Sequence, residues 1–318
     1  MAGVRARPNE PIRTVALMIC TRDRPEALDE CLAACGALEH GSLAIKICVA
    51  DNSPHPQERS VRDIAAAHGL DLHYGHETRR GYSSVRNTAL DLALASGVDA
   101  AIFIDDDSKP APDLVVEHVA ALERYRADAI LGMIEGLSQR PKEGRRVLKA
   151  GTGNVSIRRW VFDPVSGAGL RFDPRLNLLG FEDWEFFGDL VARGGVIYQS
   201  TRPVAISRPD PDALPTSPAR PFAARLAFAR MEGRNEIATT RIRHGIWAAT
   251  LKAVRRHLPL VVKGLAGFAV SPFAGARDRE AARLRLARGL EGFSGLRKPG
   301  FDRPRARAGE LIEAGDDT

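Results

Sequence analysis

Cysteine is scarce in this chain of 318 residues: Cys20, Cys31, Cys35 and Cys48 all fall within the first fifty positions. None forms a CxxC pair, and no His/Cys cluster has zinc spacing. The pattern therefore argues against a zinc site and for buried, reduced thiols. Phosphate loops are missing as well. No GxxxxGK[ST] occurs and no GxGxxG follows the first strand-like run, so ATPase and Rossmann dehydrogenase readings lose support. The opening stretch MAGVRARPNEPIR lacks the apolar core of a secretory signal, so export is not expected. There is no clean membrane-spanning run either. The most apolar stretch, LPLVVKGLAGFAVSPFAGA (258–276), carries Lys263 and Pro272 and is rich in glycine, which makes a poor spanning helix. Two readings stay open for it: a helix lying in a bilayer interface, or a buried helical hairpin. Internal repeats are absent.

What is present is enough apolar material, 44% of residues, for a sizeable core. The length suggests one large domain with an appendage, or two domains. Charge is unevenly spread. Residues 220–310 hold 20 Lys/Arg against 7 Asp/Glu, on a chain whose formal net charge is +6, so the remainder is net acidic. Such asymmetry points to an anionic partner for the last third. Those arginines are interleaved with few aromatics and no recognised nucleic-acid motif, so stacking platforms are lacking and nucleic acid is not the expected partner.

Apolar runs at Thr14 to Cys20, Ala44 to Ala50, Leu72 to His76 and Ala100 to Ile104 read as strands. Helical patterns lie between and after them, at about Pro25 to Ala37, Pro56 to His68, Ser83 to Ser96 and Asp113 to Arg126. This alternation implies right-handed crossovers and a mainly parallel α/β sheet, with ligands at the C-terminal strand ends. DAILGMIEG reads as a further strand and RPKEGRR as an exposed loop. A helix is expected over about Trp184 to Arg193, stopped by Gly194-Gly195, followed by a short final strand VIYQS. Polar clusters sit where the strands stop: TRDRP, DNSP and DDD.

The run Asp105-Asp106-Asp107 is the sharpest of these. Three like charges at a strand end need cations, hydrogen-bond donors or open water to offset their repulsion. Hard carboxylate oxygens suit Mg²⁺ or Mn²⁺, ions that complete their shells with substrate phosphates and water. The plain alternative is a solvated cap for the following helix.

Taken in order, TRDRP, VADNSP, RRGYSSVRNTAL, FIDDDSKP, GTGNVSIRR and GFEDWEF resemble the motifs of family 2 glycosyltransferases, over about Thr14 to Ser207. The resemblance implies a GT-A (nucleotide-diphospho-sugar transferase) fold with a mainly parallel central sheet, here followed by a helical, basic C-terminal extension. It implies an inverting transferase that uses a nucleotide-sugar donor, UDP or dTDP favoured, and a glycan or lipid-linked acceptor of the cell envelope. Donor contacts would come from Thr21, Arg22, Asp23, Asp51, Arg86, Asp105 and Asp106. The metal, Mn²⁺ or Mg²⁺, would sit on Asp107. Asp183 would act as general base with Glu182 as the alternative, and Gly153, Asn154 and Trp184 would line the donor and acceptor loops. Two acids at a helix start also stabilise the helix dipole, which is the structural alternative for Glu182-Asp183. The histidine often found after the last strand in the family is absent; AISRPDP stands there.

The expected organisation is a catalytic domain over 12–210, split into a nucleotide-binding half (12–107) and an acceptor half (108–210). A basic helical region over 211–298 would meet an anionic membrane surface, and 299–318 would be a disordered tail. The expected location is cytoplasmic, peripheral on the inner face of the membrane. The competing readings are a sugar-1-phosphate nucleotidyltransferase of the same fold, which the glycine-free TRDRP argues against, and a non-catalytic protein that binds anionic surfaces.

Overall fold

The computed structural model describes residues 11–135, 141–178, 181–207, 222–269 and 276–294. The chain divides into two compact units: Met1–Asn177 with Glu182–Pro209, and Leu178–Phe181 with Asp210–Thr318.

The first unit runs β1 (Thr14–Thr21), α1 (Pro25–Cys35), β2 (Ala44–Asp51), α2 (Glu58–Ala67), β3 (Leu72–His76), α3 (Tyr82–Ala95), β4 (Ala100–Asp105), β5 (Ser108–Pro110), α4 (Leu114–Arg124), β6 (Ala129–Glu135), β7 (Arg146–Val147), β8 (Asn154–Arg158), α5 (Arg159–Phe162), α6 (Glu182–Ala192) and β9 (Ile197–Ser207). These strands form one sheet in the order β3-β2-β1-β4-β8-β6-β9-β5, with β7 also on β9. Strands β3, β2, β1, β4, β6 and β9 run one way, and β8, β5 and β7 run against them.

The continuous apolar runs have a direct cause. Both faces of the sheet are covered, so alternate residues of one strand enter different cores. Val15, Leu17 and Ile19 join Ala100, Ile102 and Ile104 under α1, α2 and α4. Ala16 and Met18 join Ala101 and Phe103 on the other face, under α3, α5 and α6. Pairing is in register, Thr21 beside Asp51 and Cys20 beside Asp105. The polar ends of β1, β2 and β4 therefore form one edge. The four cysteines are free thiols, and burial pushes the Cys20 thiol up to about 12, so it stays protonated at neutral pH.

Two differences from the sequence expectation stand out. The final strand is longer than VIYQS, reaching Ser207, because β6 pairs with it on both sides of a register shift between Leu131 and Met133. The loop RPKEGRR ends in Arg146, the first residue of the two-residue β7. The tail expected over 299–318 lies outside the described residues.

The second unit holds α7 (Phe222–Lys252), a π-helical turn (Ala253–His257), α8 (Leu258–Ala269) and α9 (Ala276–Ser294). Ile237, Ala249 and Ala253 bury against one another with Phe293 packed on them. Among the described residues no helix is long and apolar enough to cross a membrane.

Candidate active site

The acidic run at the end of β4 has its counter-cation in Arg24, one residue before α1. Its Nη1 lies 2.5 Å from Asp106 Oδ1 and its Nη2 2.7 Å from Asp107 Oδ2. Asp106 is buried and also accepts the Thr21 hydroxyl at 2.8 Å. Burial still pushes its carboxyl up to about 6 against the pull of Arg24 and Thr21. Asp105 is open to solvent, and no described residue donates a hydrogen bond to its carboxylate. Enough protein surrounds it that desolvation raises its pKa, with Asp107 adding and Arg86 and Arg24 opposing.

Across the sheet edge, Gly151, Thr152 and Gly153 bring backbone between two acids. A Cβ on Gly153 would stand 3.0 Å from Asp105 Oδ2, and one on Gly151 would stand 3.5 Å from Asp183 Oδ2. The missing side chains let both carboxylates close on this segment. Asp183 Oδ1 accepts the Trp184 amide at 2.7 Å, so half of the carboxylate serves the start of α6, as the helix-dipole reading expects. The other oxygen faces Gly151. Burial, with the Glu182 charge adding and Arg86 opposing, pushes Asp183 up to about 6.

Arg86, from the first turns of α3, ties the two acids together. It is ion-paired with the buried Glu182, and its guanidinium lies 5.5 Å from the centroid of the Tyr82 ring. Burial works against its charge, but Glu182 and Asp183 outweigh that and raise its pKa. Glu182 is thus the ion-pair partner of Arg86.

Several residues expected at the site turn inward instead. Asp51 is fully buried. It takes the Ser53 amide at 2.8 Å, the Gln57 amide at 2.9 Å and the Tyr74 hydroxyl at 2.6 Å. These bonds overcome burial and lower its pKa; it braces the entry to α2 and presents no oxygen to a ligand. Asn154 is buried too, its amide donating to Met133 O and Pro203 O and its oxygen 2.7 Å from His118 Nε2. It locks β8 to β6 and β9 rather than lining the loop. Arg22 is held by the Asn52 carbonyl. Asp23 is exposed at φ 49, a left-handed conformation that aspartate tolerates. Trp184 is half-buried with Lys149 Nζ 4.8 Å over its ring.

Sequence reasoning passed over Arg24, although it stands in the quoted TRDRP; asking which cation answers DDD would have found it. It also passed over Asn52, whose amide donates to Glu77 O and Arg79 O and accepts the Gly81 amide. Asn177 was missed as well. Its oxygen accepts the Ser84 amide at 2.7 Å, fixing the start of the helix that carries Arg86. Asn52 stands within the polar cluster DNSP at the end of the second strand, whereas nothing in the local sequence marks Asn177.

Among the described residues no group of three or more His, Cys, Asp or Glu could hold a metal ion. Mg²⁺ and Mn²⁺ need less, because one or two carboxylates suffice where substrate phosphates complete the shell. Asp105, unbonded, and Asp107, with one oxygen on Arg24, fit that smaller demand.

The Glycosyl transferase family 2 model matches residues 16–173. The chain belongs to this family. Among curated proteins it is similar to the succinoglycan biosynthesis protein ExoM of Rhizobium meliloti (strain 1021), 28% identical over 208 residues, with 60% of this chain and 65% of that protein covered. The chain therefore spans less than two thirds of that relative's length. Among solved structures it is similar to the mannosyltransferase PcManGT of Pyrobaculum calidifontis, solved with GDP-Man and Mn²⁺, at TM-score 0.56 and 16% identity over 88% of this chain and 86% of that one. TarS 1-349 of S. aureus gives TM-score 0.51 and 13% identity over 88% and 90%. At such identities the likeness shows the fold, which is GT-A. The matched segment of this family 2 glycosyltransferase includes Arg24, Arg86, the acidic run and Gly151–Gly153, but ends before Glu182 and Asp183. For those two, the geometry stands by itself.

Proposed function

We propose that the protein transfers a sugar, with inversion at the anomeric carbon, from a nucleoside-diphosphate donor to a hydroxyl of a glycan or lipid-linked acceptor in polysaccharide biosynthesis. The observation that carries this reading is the placement of Asp105 and Asp183 at either end of Gly151–Gly153, with Arg86 facing both. A donor-side carboxylate and a base of raised pKa within one short segment is what a single displacement requires.

In this reading the half 12–107 holds the nucleotide and 108–210 the acceptor. Arg22, Asp23, Asp105 and Asp107 are the reachable donor-side groups, while Thr21, Asp51, Asp106 and Asn154 hold the frame behind them. Asp105 and Asp107 would hold a divalent cation, which supplies neutralisation of the charge that develops on the departing diphosphate. Arg24 keeps Asp106 and Asp107 in place, so the edge is organised before a donor arrives. Asp183 Oδ2 takes the proton of the attacking hydroxyl; Glu182 holds Arg86, which limits the charge gathered beside the base. UDP and dTDP are the favoured donor nucleotides, and the ExoM likeness supports a polysaccharide product.

The test is calorimetric titration of UDP, dTDP and GDP with and without Mn²⁺, on the native protein and on Asp107→Ala. Metal-dependent binding of one nucleotide, lost in the variant, supports the reading. Absence of binding to all three refutes it.

A further inference from the structure

The most conspicuous exposed apolar surface among the described residues belongs to the second unit. Trp247 is 85% exposed, and Leu251, Val254, Leu258, Val262 and Leu265 are each 46–56% exposed. Successive spacings of four, three, four, four and three residues put these side chains along one side of a helix. The stripe starts on α7, continues through the π-helical turn at Val254 and runs onto α8. The opposite side is already occupied: Gly264 packs against Leu286 of α9, and Ala249 and Ala253 are buried with Ile237. The stripe is thus the face left over after the helices have packed, and single exposed apolar residues do not account for six in a row.

Along the chain, the charge next to it has one sign. From Ile237 to Arg277 the sequence contains no Asp or Glu, while Arg241, Arg243, Lys252, Arg255, Arg256, Lys263 and Arg277 fall in the same stretch. The nearest preceding acid, Glu236, is buried and bridged to Arg256 at 2.9 Å and Lys252 at 3.7 Å. Its charge is therefore spent inside the unit. Arg255 and Lys263 remain exposed beside the stripe. Long basic side chains bordering an apolar face suit a surface where apolar groups enter hydrocarbon and cations reach anionic headgroups. Trp is the residue most at home at that boundary. A spanning helix is not available in the described residues, so the face would lie in the plane of the surface.

We propose that the stripe Trp247–Leu251–Val254–Leu258–Val262–Leu265 docks on an anionic lipid bilayer, with Arg255 and Lys263 on its headgroups. The inference does not depend on the transfer reaction. It also replaces the stretch 258–276 as the attachment element: the surface begins eleven residues earlier, at Trp247, and residues 270–275 of that stretch lie outside the described residues.

The full-length protein is sedimented with phosphatidylcholine vesicles, with and without phosphatidylglycerol, while tryptophan emission is recorded. The expected result is partitioning onto the anionic vesicles that weakens with salt, and a blue shift that Trp247→Phe removes. Val262→Glu with Leu265→Glu lowers partitioning by about tenfold or more without shifting the melting temperature. Arg255→Glu with Lys263→Glu, which alters only exposed groups, lowers it on anionic vesicles alone and so decides the matter even if the first pair unfolds. No partitioning, partitioning equal on both vesicles, or partitioning unchanged in both double variants overturns the proposal. So does a dimer of the native protein that the Val262/Leu265 pair splits while vesicle binding stays intact, since a second copy would then be the occupant.

Discussion

Asp183 and Arg24 illustrate how single side chains at this edge are set by their neighbours. With its carboxyl near 6, Asp183 is ionised above that pH and can accept a proton only there. Transfer should therefore rise with pH through about 6 and level off above it, as read from initial rates across a pH series. Asp183→Asn should keep donor binding and lower turnover by about a hundredfold or more, and retained turnover would remove the residue from the role of base. Arg24 carries a different load. Replacing it with alanine leaves the buried Asp106 without its cation. Because the guanidinium is itself about a third exposed, the expected cost is about 1–3 kcal/mol rather than that of a fully buried pair. Denaturant unfolding of Arg24→Ala, and its recovery in Arg24→Ala with Asp106→Asn, checks this.

At the scale of elements, the ends of β1, β2 and β4 line up because parallel pairing sets Cys20 beside Asp105 and Thr21 beside Asp51. The antiparallel β8 then brings Gly151–Gly153 to the same edge from the opposite direction. What holds β8 there is polar: Asn154 binds the carbonyls of Met133 and Pro203 while His118, whose pKa burial lowers to about 4, meets its oxygen. Asn154→Ala strands two buried carbonyls and an imidazole. It should cost about 2–4 kcal/mol and lower donor affinity indirectly; full stability in the variant would refute this account of the strand. Much of the alternation was legible beforehand, since apolar runs covered on both faces leave a plain mark in sequence. The inward turn of Asn154 was not, because GTGN reads the same whether its asparagine faces a ligand or carbonyls 21 and 49 residues away in the fold's other strands.

Across the whole molecule, ionisable groups fall into two classes with opposite pH dependence. Glu143 accepts the Tyr125 hydroxyl, the Thr201 amide and hydroxyl and the Ser200 hydroxyl, which overcome its desolvation and hold its carboxyl down at about 2. Its contribution to stability is present above the unfolded carboxyl value of about 4.3 and is lost as pH falls toward 2. Asp106 and Asp183 are raised to about 6, so what they contribute is full below the unfolded value of about 3.9 and fades as pH rises through 6. Glu143→Gln should therefore flatten the acid side of the melting-temperature profile, and Asp183→Asn should raise stability at pH 8 relative to pH 4. Equal profiles for native and variant proteins would contradict these assignments. Both cost stability at neutral pH, Asp106 within the frame and Asp183 as the proposed base, where such a cost is expected of a functional group.

By itself the sequence determined the layered α/β architecture, the strand ends at which polar clusters gather, the reduced state of the cysteines and the excess of positive charge in the last third. Each follows from local composition and period, which act over a few residues. Only the tertiary structure decided which polar residues face outward. It gave Asp51 and Asn154 to the frame, joined Arg86 to Glu182 across 96 positions, and handed the acidic run its cation in Arg24 across 82. It also left Trp247 to Leu265 uncovered. Partners that far apart in sequence meet only after the sheet has formed, and whether a carboxylate is spent on a neighbour or left open is settled by that meeting.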